Sequence, residues 1–271
     1  MTDTITAGID LGSTYAKVTI LKNLDVVGYA ISPTGSDHNE TAKKTFERAL
    51  GIAKIDAKLV QYKISTGYGR RVVDFSDENI SEISANATGV EHIARTIGVR
   101  TIIDIGGQDT KVISLDDNLK MVNFAMNDKC AAGTGRFLEV LARVMGVALD
   151  DMGEISLKSQ KPVDITTTCL VFAKSEIATL IFKGVPKEDI IAGIHQAVAR
   201  RLVGMAKKVG IKDVVFFDGG PARNKGMIAA LEKEMGRKIY VPPMPQIVTA
   251  TGAAILAREK ILKGEVKPKA S

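Results

Sequence analysis

The sequence predicts an α/β protein made of two similar lobes, each with a mixed sheet flanked by helices. Three observations support this prediction. Strand-like and helix-like segments alternate along the whole chain. A strand-turn-strand segment near the start recurs near the middle of the sequence. The length of 271 residues is also generous for a single domain, so we expect one large or two smaller lobes.

The recurring segment is the strongest evidence for duplication. Residues 102–115 align without a gap on residues 8–21. The matched pairs include Ile9 with Ile103, Asp10 with Asp104, Gly12 with Gly106, Lys17 with Lys111, Val18 with Val112 and Leu21 with Leu115. Chance rarely reproduces Ile-Asp-x-Gly followed by Lys-Val at the same offset. We therefore interpret the two segments as copies of one β-hairpin.

The remaining elements follow from hydrophobic periodicity and turn residues. In the first half we predict two strands within 5–21, a strand at 26–31, a helix at 38–53, a strand at 59–66 and a helix at 81–97. In the second half we predict two strands within 102–115, a strand at 120–124, two helices opened by Cys130 and Cys169, a helix at 189–209, a strand at 214–217, a helix through Met235, a strand at 239–241 and a final helix at Thr249–Leu262. The first lobe then spans 1–98, completed by the C-terminal helix 249–271, and the second lobe spans 99–248.

Composition and charge exclude several classes of protein. The chain has 37 basic and 31 acidic residues, but the basic residues are scattered, aromatic residues are few and Trp is absent. Binding to nucleic acid is therefore not expected. No apolar run reaches the length of a membrane span, and the N-terminal residues lack the pattern of a signal peptide. We expect a cytoplasmic protein, because two cysteines do not make a disulfide framework.

The two hairpins have the composition of phosphate-binding turns. Gly12 allows backbone N–H groups to approach phosphate oxygens, and Ser13 and Thr14 add hydroxyl donors. Asp10 can hold Mg²⁺ directly or through water. In the second copy, Asp104, Gly106 and Gly107 would present the same groups, and Gln108 could orient an attacking water. A further Gly-Gly element, Gly219-Gly220, follows a short buried strand.

The two cysteines are the other unusual feature. Cys130 follows Asn127 and Asp128, Cys169 follows Thr166–Thr168, and each precedes an apolar-periodic run. We therefore expect both thiols in the first turn of a helix, where the helix dipole favours the thiolate. Two thiolates cannot complete a zinc or iron-sulfur site, whereas two copies of the chain would supply four. The alternative is that both cysteines are simply packed in the core.

The hairpins and the Gly-Gly element together resemble the superfamily of acetate kinase, sugar kinases, Hsp70 and actin. That resemblance implies a duplicated two-lobed (ASKHA) ATPase fold, with ATP between two phosphate hairpins and an adenosine motif. Neither the P-loop pattern nor the dinucleotide-binding glycine pattern is present in the sequence.

Within that superfamily, five motifs together resemble the activators of 2-hydroxyacyl-CoA dehydratases, which are similar to the ATPase subunits of benzoyl-CoA reductase. The motifs are Asp10-Leu11-Gly12-Ser13-Thr14, Thr66-Gly67-Tyr68-Gly69-Arg70, Asp104-Ile105-Gly106-Gly107-Gln108-Asp109, Asn127-Asp128-Lys129-Cys130-Ala131-Ala132-Gly133-Thr134-Gly135 and Thr168-Cys169-Leu170-Val171-Phe172. The resemblance runs nearly from end to end, and the cysteine motifs are specific to this family.

The resemblance implies a homodimer with one [4Fe–4S] cluster, held by Cys130 and Cys169 of each subunit, and with ATP or ADP and Mg²⁺ in each subunit. Asp10, Asp104 and Gln108 would be catalytic residues. The nucleotide would contact Gly12, Ser13, Thr14, Lys17, Gly106, Gly107, Gly219, Gly220 and Gln246. None of His38, His92 and His195 is assigned as a ligand.

The function implied by the resemblance is ATP-driven electron transfer. Ferredoxin or flavodoxin would reduce the cluster, and the electron would pass at low potential to the dehydratase, where it forms a ketyl radical anion of the 2-hydroxyacyl-CoA. A small-molecule, sugar-type kinase without a cluster is the main alternative. A non-catalytic scaffold of the actin or chaperone type, with both cysteines merely packed, is the other.

Overall fold

A computed structural model describes residues 3–166 and 169–267 of the chain. The strands are β1 Ile5–Leu11, β2 Tyr15–Lys22, β3 Asp25–Pro33, β4 Tyr62–Thr66, β5 Glu78–Asn79, β6 Thr101–Ile105, β7 Thr110–Leu115, β8 Met121–Asn127, β9 Val215–Gly219 and β10 Ile239–Tyr240. The helices are α1 His38–Ala53, α2 Glu82–Ile93, α3 Gly135–Met145, α4 Met152–Ser156, α5 Leu170–Phe182, α6 Lys187–Val209, α7 Lys225–Met235 and α8 Val248–Leu262.

The chain folds as two compact units. The first unit comprises Met1–Thr96 and Gln246–Ser271, and the second comprises Ile97–Pro245. The predicted caps Thr167 and Thr168, and residues 268–271 of the C-terminal segment assigned to the first lobe, lie outside the described residues. In the described part of the chain, no helix is both long enough and apolar enough to cross a membrane.

The two units contain the same sheet. In the first sheet the strands lie in the order β3-β2-β1-β4-β5, and in the second they lie in the order β8-β7-β6-β9-β10. The three strands at the start of each sheet are antiparallel, and the fourth runs parallel to the first strand of its hairpin. The predicted fold, a duplicated arrangement of mixed sheets flanked by helices, is therefore confirmed.

Side-chain burial explains why each sheet has helices against it. Every residue of β6 and β7 is buried, and in β1 only Ile5 is partly exposed. A strand buried on both faces needs packing partners on both sides of the sheet. In the second unit the largest partner is α6, whose apolar stripe, predicted from the sequence, is buried at Ile190, Ile191, Ile194, Val198 and Leu202.

Helix α8 packs unusually close to its neighbours in the first unit. A Cβ atom added to Gly8 would overlap the carbonyl oxygen of Ala250, and one added to Gly252 would overlap that of Ala85. The small residues at the start of α8 therefore permit this approach, as the sequence predicted.

Several predicted boundaries need correction. The helix predicted at 81–97 ends at Ile93, because Ala94 leaves the helical conformation. The strand predicted from Leu59 begins at Tyr62, because Asp56 accepts a hydrogen bond from the N–H of Lys58 and starts a short 3₁₀ turn. The final helix, predicted at Thr249–Leu262 within the C-terminal segment 249–271, begins one residue earlier, at Val248, and ends at Leu262 as predicted. Residues 263–267 are non-helical.

Candidate functional site

The turn between β1 and β2 is a tight hairpin braced from one side. The N–H of Gly12 donates to the carbonyl oxygen of Tyr15 at 3.1 Å and closes the turn. Thr34 holds it in place, since its N–H donates to Thr14 and its hydroxyl to the carbonyl oxygen of Gly12, each at 2.8 Å. Ser13 and Thr14 remain partly exposed at the tip. The structure thus places the predicted phosphate-binding residues of the first unit in one accessible turn.

A buried carboxylate lies beneath this turn. Asp10 is opposite Lys17 in the β1–β2 register, and the Lys17 Nζ lies 2.9 Å from Asp10 Oδ2. Asp10 is buried, whereas a fifth of the Lys17 side chain (20 %) is exposed. Lys17 can therefore neutralise Asp10 and still reach an anion at the surface.

The second hairpin repeats this arrangement with one more carboxylate. The N–H of Gly106 donates to Asp109 at 3.0 Å, as Gly12 does to Tyr15. Lys111 Nζ lies 3.4 Å from Asp104 Oδ2 and 2.9 Å from Asp109 Oδ2, and only 1 % of the Lys111 side chain is exposed. Lys111 is thus a buried ion-pair residue, and Gln108 is the exposed residue at the tip.

Each hairpin is completed by a glycine on the neighbouring parallel strand. Gly67 follows β4 and Gly219 ends β9, with φ of +86° and +84°. A Cβ on Gly67 would lie 2.5 Å from Asp10 Oδ1, and one on Gly219 would lie 2.9 Å from Asp104 Oδ1. Only glycine satisfies both the backbone conformation and the space at these positions.

Sequence reasoning identified Gly219 and missed its counterpart. Gly67 was recognised only as part of a family motif, although extending the duplication beyond the hairpins to the next parallel strand would have predicted its role. Asp218 was missed as well. It is buried and lies opposite Asp104 in the β6–β9 register, so two carboxyl groups meet on adjacent strands.

The Gly-Gly element turns the chain away from β9. Gly219 donates its N–H to the carbonyl oxygen of Pro245 at 3.0 Å, and Gly220 begins a 3₁₀ helix that ends at Arg223. Gln246 follows Pro245 in the turn that leads to α8. The predicted role of Gln246 at the nucleotide stays a prediction.

Cys130 does not lie in the first turn of a helix, contrary to the sequence prediction. It lies in a loop, residues 128–134, which we call the Cys130 loop, and α3 begins only at Gly135. Two features keep this segment from being helical. Asn127 Nδ2 donates to the carbonyl oxygens of Cys130 and Ala132 at 2.8 and 3.2 Å, and Gly133 has a φ of +87°. Cys130 is half-buried against the core of the second unit.

Cys169 lies at a helix start, close to where the sequence placed it. It is the N-terminal capping residue of α5, and its carbonyl oxygen accepts from the N–H of Ala173 at 2.8 Å. Its side chain is exposed. Thr166, predicted as a cap, instead uses its N–H and hydroxyl to donate to Glu176 Oε1, each at 3.1 Å.

The helix that follows Cys169 carries several exposed apolar side chains. Within α5 only Ala173 and Ile177 are buried, whereas Phe172 and Phe182 are 65 % and 93 % exposed. The edge strand β8 adds exposed Met121, Val122, Phe124 and Met126. Such a concentration of apolar surface in one unit is typical of an interaction site.

The donor groups limit the metals that the chain can hold. Among the residues that the structure describes, no three His, Cys, Asp or Glu side chains converge on one metal position. The oxygen donors Asp10, Asp104 and Asp218 fit Mg²⁺, which proteins commonly bind through one or two carboxylates together with substrate phosphates. The two thiols fit half of the four-thiolate set of an iron-sulfur cluster.

Comparisons with known proteins agree with this arrangement. The model of the BadF/BadG/BcrA/BcrD ATPase family matches residues 7–257. The 2-hydroxyisocaproyl-CoA dehydratase activator of Clostridioides difficile is 43% identical over 267 residues, covering 97% of this chain and 98% of that protein. The (R)-2-hydroxyglutaryl-CoA dehydratase activating ATPase of Acidaminococcus fermentans is 44% identical over 260 residues, covering 95% and 98%.

Solved structures extend the comparison to three dimensions. The structure of the activator of the 2-hydroxyisocaproyl-CoA dehydratase from Clostridium difficile with bound ADPNP superposes with a TM-score of 0.91 at 41% identity, covering 98% of this chain and 100% of that one. A ROK family glucokinase from Streptomyces griseus has a TM-score of 0.57 at 13% identity, with 94% and 99% covered, and this likeness concerns the fold alone.

Proposed function

Because the chain belongs to the BadF/BadG/BcrA/BcrD ATPase family, we propose that it is the ATP-dependent activator of a 2-hydroxyacyl-CoA dehydratase. One observation carries the proposal: the second unit contains a phosphate-type hairpin at Asp104 and both thiols, Cys130 half-buried and Cys169 exposed. A kinase that transfers phosphate to a small molecule has no use for two such thiols. The names of the full-length relatives support the same reading.

In each unit, the turn that follows the first strand of the sheet is assigned to the phosphates of ATP or ADP. We assign the phosphate oxygens to the backbone N–H groups and hydroxyls of Gly12, Ser13, Thr14, Gly106 and Gly107. Lys17 adds a positive charge, which Asp10 holds in place. The remainder of the nucleotide is assigned to Gly219, Gly220 and Gln246.

The buried carboxylates are assigned to the metal and Gln108 to the water. Asp10 and Asp104 would hold Mg²⁺ directly or through water, and the ion would neutralise negative charge on the phosphates. Lys17 and Lys111 neutralise these carboxylates in the absence of Mg²⁺, so neither is left as an uncompensated buried charge. Gln108 is exposed at the tip of its turn, where it can orient the water that attacks the terminal phosphate.

The two cysteines are assigned to a cluster shared by two copies of the chain in a homodimer. Cys130 and Cys169 of each of two copies together supply the four thiolates of one [4Fe–4S] cluster. When bound, this cluster would supply a one-electron carrier of low potential. The chain's own contribution is positional: Asn127 holds the backbone at Cys130, and the N-terminus of α5 directs N–H groups towards the anionic site at Cys169.

The partners follow from the proposed chemistry. The dehydratase accepts the electron, and ferredoxin or flavodoxin supplies it. The exposed side chain of Phe172, one turn from Cys169 at the start of α5, is available for the contact between the two copies. ATP hydrolysis drives the electron transfer, so the ATPase activity of the chain is coupled to electron transfer to the dehydratase.

The test is an anaerobic purification followed by iron and sulfide analysis and a visible spectrum. We expect a brown protein with about two iron atoms per chain, as one four-iron cluster per dimer requires, and bleaching in air. The protein should also activate a purified 2-hydroxyacyl-CoA dehydratase when ATP and a reductant are added, but not when ATP is omitted.

The same preparation distinguishes the alternative. An iron-free anaerobic protein that binds ATP and transfers its phosphate to a sugar would contradict the activator and establish the small-molecule kinase. An iron-free protein without any phosphate acceptor or ATPase activity would indicate the scaffold reading.

A further inference from the structure

The β6–β7 hairpin and the Cys130 loop are joined by a compact set of hydrogen bonds. Thr110 Oγ1 donates to the carbonyl oxygen of Gly133 at 2.6 Å. The N–H of Gly135 donates to Gly106 and that of Arg136 to Gly107, each at 2.8 Å. The turn to which we assign phosphate therefore shares hydrogen bonds with the end of the loop that carries Cys130.

Neighbouring groups hold the other side of the loop. Thr110 and Asn127 are opposite each other in the β7–β8 register. Asn127 binds the carbonyl oxygens of Cys130 and Ala132, while Thr110 binds that of Gly133. One cross-strand pair thus contacts three backbone carbonyls of the Cys130 loop.

Little free space remains around this junction. A Cβ on Gly133 would lie 3.1 Å from Cδ of Arg201, and one on Gly135 would lie 3.0 Å from the carbonyl oxygen of Gly106. Both Thr110 and Gly133 are buried. A displacement of the hairpin cannot be absorbed here without moving the loop, because close-packed atoms transmit displacement.

The duplicated hairpin provides an internal comparison. In the repeat alignment Thr110 corresponds to Ala16, which is also fully buried. The hairpin fold therefore does not itself require a hydroxyl at this position. The hydroxyl is present in the copy that lies beside a cysteine loop and absent from the copy that does not.

We propose that Thr110 is a positioning residue that makes the environment of Cys130 depend on the nucleotide held at the β6–β7 hairpin. The proposal rests on the proposed function only in assigning the nucleotide phosphates to this hairpin. The hydroxyl proton of Thr110 is donated to Gly133 and is therefore not available to a phosphate. It acts by holding the end of the Cys130 loop to the turn.

The test uses cluster-free protein in which Cys130 is the sole thiol. The chain has two cysteines, so Cys169→Ser leaves Cys130 alone. The rate at which a maleimide modifies Cys130 is measured with and without a non-hydrolysable ATP analogue and Mg²⁺. We expect the analogue to change this rate by about fivefold, the effect of gaining or losing one hydrogen bond of roughly 1 kcal/mol.

Substitutions of Thr110 in this background isolate the hydroxyl. Thr110→Val removes it at similar volume, and the nucleotide effect on the rate should disappear. Thr110→Ser keeps it, and the effect should return. If Thr110→Val does not fold, Thr110→Ala replaces it, because alanine is the residue that the equivalent buried position of the first hairpin carries.

Separate binding measurements distinguish the two proposals. Calorimetry of the analogue with each variant shows whether nucleotide is bound at all. Binding without any change in Cys130 reactivity, or a nucleotide effect that survives in Thr110→Val, would overturn the role of Thr110 alone. A parent protein that binds no nucleotide would overturn the proposed function together with this inference.

Discussion

At the scale of single residues, His195 shows how a buried polar network fixes one protonation state. Asn224 uses Oδ1 to accept from the N–H of Met227, so its Nδ2 faces His195 Nε2 at 3.2 Å. His195 Nε2 must therefore be the acceptor, and Nδ1 carries the proton towards Ser156 Oγ at 3.1 Å. Ser156 in turn donates to the carbonyl oxygen of Gly153 at 2.8 Å.

This network predicts a pH dependence of stability. Burial lowers the pKa of His195 from 6.5 to about 4. Above pH 6.5 His195 is unprotonated in both the folded and the unfolded state. The full stabilisation that the buried neutral His195 gives to the fold is therefore present there. Between pH 6.5 and about 4 only the unfolded state binds the proton, and the free energy of unfolding should fall by up to about 3 kcal/mol.

Denaturant unfolding across this pH range measures the effect. His195→Gln should lower the free energy of unfolding by about 1–3 kcal/mol at neutral pH and flatten its decline between pH 6.5 and 4. His92→Gln, at an exposed histidine, is the matched control and should keep the wild-type profile. An unchanged profile in His195→Gln would contradict the assigned protonation state.

Gly67 is the second prediction at this scale. Gly67→Ala places a methyl group 2.5 Å from Asp10 Oδ1 at a positive φ, so it should both destabilise the fold by about 1–2 kcal/mol and displace the carboxylate. We expect nucleotide affinity to fall at least about tenfold, which corresponds to 1.4 kcal/mol. Titration calorimetry measures the affinity.

Gly146→Ala is the control for backbone strain. Gly146 also has a positive φ, of +64°, but a Cβ there would meet no atom within 4 Å. This variant should lose a similar amount of stability and keep its nucleotide affinity. Equal losses of affinity in both variants would mean that strain, and not displacement of Asp10, is responsible.

At the scale of elements, α5 differs from every other long helix described in the second unit. Helices α3 and α6 bury an apolar stripe, whereas α5 is apolar on most sides and buries only Ala173 and Ile177. A helix that is hydrophobic all round is usually covered. Phe172 lies one turn from Cys169, so a contact between two copies at the cysteines would cover it.

A matched pair of substitutions tests this interpretation of α5. Phe172→Glu should lower the dimer fraction and the iron content, because a charge near Cys169 would be buried without a partner. Phe182→Glu, at the opposite end of the same helix, should leave both unchanged. Sedimentation and iron analysis of anaerobic protein measure the two quantities. Equal effects at the two ends would argue against an interface centred on Cys169.

At the scale of the whole molecule, the two copies of the duplication share a core and differ in their surface groups. Both units keep the same strand order, a cross-strand Asp–Lys pair and a positive-φ glycine beside the carboxylate. The second unit contains both cysteines, and among the helices that the structure describes it also contains the exposed apolar helix α5. We interpret the first unit as a contributor to nucleotide binding and the second as the unit that also serves the partner.

This division predicts that cluster binding can be lost while nucleotide binding is kept. Cys130→Ala should yield a colourless anaerobic protein that still binds nucleotide, because the hairpins do not depend on the thiol. Lys174→Ala, at an exposed position of α5, should stay brown. Visible spectra, iron analysis and calorimetry on the same preparations measure both properties. A brown Cys130→Ala protein would rule out Cys130 as a ligand.

Much of this protein follows from its sequence alone. The duplicated Ile-Asp-x-Gly and Lys-Val pattern determined the repeated hairpins and hence the two-sheet fold, because periodicity and turn chemistry are local properties of the chain. His38–Ala53 was predicted to the residue, since Asp37 caps the helix through its own side chain.

Tertiary structure decided what depends on distant contacts. Cys130 lies in a loop and not in a helix because Asn127 and Gly133 reorganise the backbone between β8 and α3. The burial of Lys111, the meeting of Asp218 with Asp104, and the role of Gly67 beside Asp10 all require strands that are remote in sequence to become neighbours. No local pattern encodes those distances, so only the folded chain brings these groups together.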